Sequence, residues 1–241
     1  MTELRDGSIN WDSHWNDRFR GSLIQRILEQ LLDRSGFIKY VNNTAVAIGK
    51  FVLDGQCSPT IIEVGSGLGT LSIAVGCAVA PAKVYLVDLV FAILPVASSG
   101  AAGGINANMF NCPLSDGCSD LTCNTGTIEH FSDPVPIVKE MKRITKWGGC
   151  VMCVVPAKSI IWRAAILIRR LVERDAQLWV DQQLVFSPAQ LVKIFQSAGL
   201  TDIHVARQTL CKLPLMNIVY GINSGNEGPG VYNARRKGDS A

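Results

Sequence analysis

Glu63, Gly65, Ser66, Gly67 and Gly69 stand within seven residues, directly after and overlapping the apolar run Thr60–Val64. Glycines at such a place let the backbone approach a ligand closely and take angles that other residues avoid. The spacing is G-x-G-x-G. A dinucleotide fingerprint would need glycine at position 70, where Thr70 stands, and a P-loop would need G-K-[ST], which is missing. Nineteen residues after Gly69 comes Asp88, at the end of a second apolar run. A carboxylate there can accept hydrogen bonds from both hydroxyls of a ribose. Two acids beside a glycine cradle, without a basic phosphate clamp, suit a cationic nucleoside better than a pyrophosphate. Glu129 and His130 follow the fourth apolar run. Histidine is the natural base near neutral pH, so the pair is a catalytic candidate. The competing reading is that it only packs and caps its loop.

These residues need elements to hold them. Apolar runs begin near residues 60, 83, 119 and 150, with a short one expected at 106–110. Between them lie stretches with helical spacing or helix signals. Residues 70–80 are small and apolar and are stopped by Pro81. Ser132 or Asp133 is expected to cap the next helix, with Pro134 in its first turn, Val135, Val138, Met141 and Ile144 on its inner face, and Gly148 and Gly149 ending it. Ser187 and Gln190 form a capping box for a helix that ends at Gly199. Two final strands, about 202–207 and 213–220, read as a hairpin-like pair. Strands that alternate with helices and are apolar on both faces predict a largely parallel sheet covered on both sides. Ligands in such sheets bind at the carboxyl ends of the strands, which is where the residues above fall.

The combination resembles the class I S-adenosylmethionine-dependent methyltransferases, in particular their broad small-molecule, type 11-like group. The matching pieces are Ile61 to Gly69, Val87 with Asp88, Cys112 to Asp120, Gly126 to Phe131, Lys139 to Arg143, and Gly148 with Gly149. The resemblance implies a Rossmann-like, doubly wound, seven-stranded sheet, mostly parallel with an antiparallel last strand, plus an N-terminal helical cap. It implies S-adenosylmethionine as cofactor. Gly65, Ser66, Gly67 and Gly69 would line its methionine and ribose portion, with Glu63 near the methionine amino group. Asp88 would hold the ribose, Leu89 would lie against the adenine, and Asn108 would accept a bond from the adenine amino group. Asn124, Thr125 and Gly126 would sit near the departing methyl. Cys112 departs from the family pattern, which has leucine there.

Length and composition set the frame. At 241 residues one domain with an appendage is expected. The division is an N-terminal helical cap over 1–54, a methyltransferase core over 55–222 with a lid-like insertion over 157–186, and a flexible tail over 223–241. Trp11, Trp15 and Phe19 recur every four positions and start a helix over 9–34. A basic amphipathic helix is expected over 159–174, and its contact with a membrane surface stays open. Apolar residues make up 48% of the chain and charged residues 18%. No run is long and apolar enough to span a bilayer, and the polar N-terminus shows no secretory signal. Thiols inside apolar runs point to a reducing, cytoplasmic setting. Cys150 and Cys153 would face opposite sides of a strand, so no metal is expected. The net charge of +3 argues against nucleic acid as the substrate. Two functions remain: methyl transfer to a small-molecule or lipid-like acceptor, or a non-catalytic binding protein that keeps the fold and cofactor.

Overall fold

The structure, a computed structural model, describes residues 37–94, 100–160, 184–210 and 212–225. The expected helices over 9–34 and most of 159–174 lie outside them, as do the aromatic N-terminal stripe and most of the tail.

The apolar run Thr60–Val64 forms strand β1 and is buried from Ile61 onward. Burial on both faces is what a continuous apolar strand requires. It pairs in parallel with β2 (Lys83–Asp88) on one side and β4 (Ser119–Thr125) on the other. β3 (Gly103–Asn106) extends the sheet beyond β2, and β5 (Thr145–Pro156) runs parallel beside β4. β6 (Thr201–Leu210) and β7 (Leu213–Ile222) form the antiparallel pair, with β7 also antiparallel to β5. The order is β3-β2-β1-β4-β5-β7-β6. The chain changes direction across the sheet between β1 and β4, so a crevice opens at their carboxyl ends.

Helices cover both faces. α1 (Phe37–Val52) and α2 (Thr70–Ala78) pack Val41, Ala45, Leu71 and Val75 onto Ile61, Leu121, Cys123 and Val154. α3 (Val135–Ile144) and α4 (Pro188–Ser197) pack Ile137, Met141, Leu191 and Phe195 onto Ile62, Val151 and Cys153. Each buried Val, Leu, Ile, Met or Phe among these contributes roughly 1.5–3 kcal/mol. α4 starts as its sequence predicts. Gln190 N donates to Ser187 Oγ at 3.3 Å, and Ser187 N donates back to Gln190 Oε1 at 2.9 Å.

Three expectations need correction. The third strand lies at Gly103–Asn106, not 106–110. Beyond it Asn108 folds the chain over, its Oδ1 accepting from Phe110 N at 3.0 Å, and this local turn competes with strand pairing. Gly148 and Gly149 do not end α3. That helix stops at Ile144, where Thr145 Oγ1 donates to Met141 O at 2.7 Å, and the glycines lie within β5. A Cβ at Gly149 would sit 2.9 Å from Asp120 O, so the ladder closes only around glycine. Cys57 and Cys77 are exposed, whereas Cys123, Cys150 and Cys153 are buried. Cys150 and Cys153 do belong to the two opposite faces. Residues expected to begin the tail are tied down, because Gly148 N donates to Asn223 O at 2.7 Å and Asn223 N to Gly149 O at 2.9 Å.

Candidate functional site

The turn from β1 into α2 is built from left-handed glycines. Gly65, Gly67 and Gly69 have φ of 59°, 51° and 64°. A Cβ at Gly65 would also lie 2.7 Å from Met109 Cε and 2.8 Å from Thr127 Cγ2. Ser66 N donates to Val87 O at 3.1 Å, fastening the turn to β2. Ser66 Oγ is buried and has no partner. Glu63 lies beneath this turn. Its Oε2 accepts from Ser72 N in the first turn of α2 at 3.2 Å. Burial raises its pKa despite its bond from Ser72.

Asp88 closes the other side. Its Oδ2 accepts from Gly67 N at 2.8 Å and its Oδ1 from Val90 N at 2.9 Å. Burial nevertheless raises its pKa. A carboxylate has about four acceptor positions, so these bonds leave each oxygen able to accept another. Just beyond, Leu89 is 56% exposed and Phe91 70% exposed, an apolar surface directly after β2. Asn106, which the sequence reading passed over, donates through Nδ2 to Asp88 O at 3.0 Å and to Leu89 O at 2.8 Å. A polar residue ending a strand beside Asp88 was the available signal. Asn108 is exposed, and its Oδ1 already serves the Phe110 amide.

The end of β4 is stapled to the end of β1. Asn124 is fully buried. Its Nδ2 donates to Val64 O at 2.6 Å, and its Oδ1 accepts from Ile128 N at 3.3 Å. Thr125 follows, half-buried. Thr127, also missed from sequence, donates through Oγ1 to Gly65 O at 3.0 Å. Ile128–His130 form a short 3-10 turn. Glu129 is 1% exposed and its Oε2 has no partner, so burial pushes its pKa up to about 8. His130 is half-buried, and burial pulls its pKa down to about 4. Near pH 7 both side chains are therefore mostly uncharged.

The structure thus brings Glu63, Gly65, Ser66, Gly67, Gly69, Asp88, Asn124 and Thr125 together around the ends of β1, β2 and β4. Glu129 and His130 follow β4, and Asn108 stands off in the loop after β3. Among the described residues no cluster of acids, cysteines and histidines could hold a metal.

A doubly wound sheet with a glycine turn and an acid at the end of β2 defines a nucleoside-binding domain of the Rossmann-like class. Residues 62–153 match the family model described as "Methyltransferase domain". That match spans 92 of the 241 residues and, with the glycine turn and Asp88, supports a methyltransferase of the S-adenosylmethionine-dependent kind with S-adenosylmethionine as its cofactor. Solved structures share the fold. One is a Thermotoga maritima S-adenosylmethionine-dependent methyltransferase described as a possible histamine N-methyltransferase. It has 17% identity, covers 82% of this chain and 95% of its own, and gives a TM-score of 0.59. Another is the Haemonchus contortus phosphoethanolamine N-methyltransferase 2, solved with S-adenosylmethionine. It has 13% identity, 76% and 53% coverage, and a TM-score of 0.58. A third is a Haloferax volcanii methyltransferase in complex with the Trm112 activator, at 14% identity, 82% and 93% coverage, and a TM-score of 0.57. No curated protein sequence matches the chain.

The residues present fit the cofactor. The unpartnered Ser66 hydroxyl, the open acceptor positions of Asp88 and the apolar Leu89 follow the ends of β1 and β2. No helix among the described residues is long and apolar enough to cross a membrane.

Proposed function

We propose that the chain methylates a small-molecule or lipid-like acceptor by in-line displacement, with the acceptor over the carboxyl ends of β4 and β5. The observation that carries this reading is the Asp88 carboxylate, held at 2.8 Å from Gly67 N and still able to accept from ribose hydroxyls. Bound S-adenosylmethionine supplies the activated methyl group, so the protein's task is alignment and exclusion of water. Gly65, Ser66 and Gly67 line the methionine and ribose portion, and Gly69 starts the helix behind them. Leu89 covers the adenine and Asn108 accepts from its amino group through the second lone pair of Oδ1. Glu63 and Asn124 act from below, because their polar atoms bind the turn and the β1 end. Thr125 borders the methyl. His130, neutral near pH 7, offers a nitrogen lone pair to a protonated acceptor. Glu129 neighbours it as a neutral carboxyl.

Around this core, residues 1–54 act as a cap and 157–186 as a lid, and together they keep water from the reacting atoms. The seven cysteines among the described residues are all free thiols, which supports a cytoplasmic setting. Titration calorimetry with S-adenosylmethionine tests the reading. Wild type should bind, and Asp88→Ala should bind at least about ten-fold more weakly, a loss of about 1.4 kcal/mol or more. The absence of binding to wild type would refute it.

A further inference from the structure

Ser66 stands between two glycines, so the backbone of the turn is soft there. Gly65 and Gly67 have φ of 59° and 51°, and a glycine takes either sign of φ at little cost. The orientation of the peptide between Gly65 and Ser66 is therefore set by what bonds to its two ends. Its N–H, on Ser66, donates to Val87 O of β2 at 3.1 Å. Its C=O, on Gly65, accepts from Thr127 Oγ1 at 3.0 Å. One partner belongs to β2 and the other to the loop after β4, so the peptide is held from both sides of β1.

Thr127 is suited to this task. A Cβ on Gly65 would lie 2.8 Å from Thr127 Cγ2 and 3.0 Å from its Oγ1, so both branches of the threonine rest against the glycine. A β-branched side chain is stiff at χ1, which holds the hydroxyl where it is. That hydroxyl has one proton to give. Its other acceptor, Thr125 O, is 3.4 Å away, beyond the usual reach of an O–H···O bond, so Gly65 O takes the proton. Thr127 is itself anchored. Gly126 N donates to Val154 O at 3.0 Å, His130 N donates to Thr127 O at 3.0 Å, and Ile128 N donates to Asn124 Oδ1 at 3.3 Å.

We propose that Thr127 is a positioning residue for the cofactor: its hydroxyl holds the Gly65–Ser66 peptide in the orientation that receives S-adenosylmethionine. The inference rests on the reading of the glycine turn as the cofactor cradle. Without the Thr127 bond, the flanking glycines let that peptide rotate. Ser66 then moves, and with it the buried hydroxyl that stands unpartnered. The next amide in the chain, Gly67 N, is the one bonded to Asp88 Oδ2 at 2.8 Å, so the ribose side loosens as well. A turn that samples several arrangements binds only in one of them, and its apparent affinity falls by the fraction of time spent there. Thr127 acts through Gly65, at one remove from the cofactor.

The test uses the full chain and two pairs of proteins, each with and without the hydroxyl: wild type against Thr127→Val, and Thr127→Ser against Thr127→Ala. Calorimetry with S-adenosylmethionine is run at a temperature where circular dichroism shows each protein folded. Thr127→Ser should bind within about three-fold of wild type, and Thr127→Val and Thr127→Ala about ten-fold more weakly. Amide hydrogen exchange over residues 65–69 should quicken in the valine and alanine variants and stay unchanged over β5. Thr122→Val is the comparison. It removes a buried hydroxyl from the middle of β4, where Thr122 Oγ1 lies 2.6 Å from Ser119 Oγ and 2.6 Å from Thr145 Oγ1. It should lower the unfolding midpoint and keep cofactor affinity within about two-fold of wild type. If the valine variant does not fold, the serine and alanine pair decides alone. Thr127→Val binding within about two-fold of wild type, Thr127→Ser binding as weakly as Thr127→Ala, or an equal loss of affinity in Thr122→Val would overturn the proposal. Wild type that fails to bind cofactor would instead overturn the functional reading beneath it.

Discussion

Glu129→Gln separates the electrostatics of the candidate site from its packing. The wild-type carboxyl has its pKa moved by burial from 4.5 to about 8. Between those values the folded protein keeps a proton that the unfolded chain gives up. Stability therefore falls as pH rises through this window and is fully present below about 4.5. At 1.36 kcal/mol per pKa unit the whole window amounts to about 5 kcal/mol. His130 works in the opposite sense. Its pKa is pulled from 6.5 to about 4, so its contribution is lost as pH falls below 6.5. The clean interval is thus pH 6.5 to 8. There wild type should lose on the order of 1–2 kcal/mol through Glu129, because the folded carboxyl is half-ionised at the upper end. Glutamine keeps the shape without the proton, so its own cost does not vary with pH through that group. Urea unfolding at four pH values would give the wild-type minus variant difference, which cancels other titrating groups such as Glu63. A difference that stays flat from pH 6.5 to 8 would show that Glu129 ionises normally and would refute the argument from burial.

Other changes test the frame that holds the cradle. Gly69→Ala puts a Cβ 2.5 Å from Leu86 Cδ2 at a φ of 64°. It should cost at least about 1–2 kcal/mol from the left-handed backbone alone, measurable by urea unfolding. Asn124→Leu leaves Val64 O and Ile128 N buried without their partner. It should cost about 1–3 kcal/mol for each group and lower the thermal midpoint, with cofactor affinity falling as well because the β1 end is released. A thermal midpoint equal to wild type would show that water replaces the amide.

The sheet was largely legible in the sequence because parallel strands buried on both faces are read as unbroken apolar runs. Ile61, Ile62, Val151 and Val154 announced themselves by type alone. The glycine turn and Asp88 were legible for a second reason: their spacing is imposed by the backbone, so it survives in the order of residues. What escaped was lateral. Thr127 reaches across to Gly65 O, Asn106 reaches across to Asp88 O, and Asn217, from the far end of the chain, donates to Phe186 O. Each is a lone polar residue whose partner is a main-chain carbonyl or lies far away in sequence. Composition and periodicity carry no record of such pairs. The misplaced third strand has the same origin, since the side chain of Asn108 outcompeted the pattern of its neighbours.

The arrangement of donors in the turn also bears on which nucleosides the crevice can take. A helix that opens after a glycine turn normally presents free N–H groups and a partial positive charge, and phosphate binds there. In this chain two of the amides around the turn are already engaged by its own acids. Gly67 N is bonded to Asp88 Oδ2 at 2.8 Å, and Ser72 N to Glu63 Oε2 at 3.2 Å. A pyrophosphate would have to displace one carboxylate and sit beside the other. A sulfonium nucleoside meets no such conflict: its positive charge is attracted to the same acids, and its ribose donates to oxygens that still have room. The glycine spacing alone argued weakly against a nicotinamide dinucleotide. The engaged amides argue the same point from geometry, and they say why a cradle of similar outline holds a different ligand.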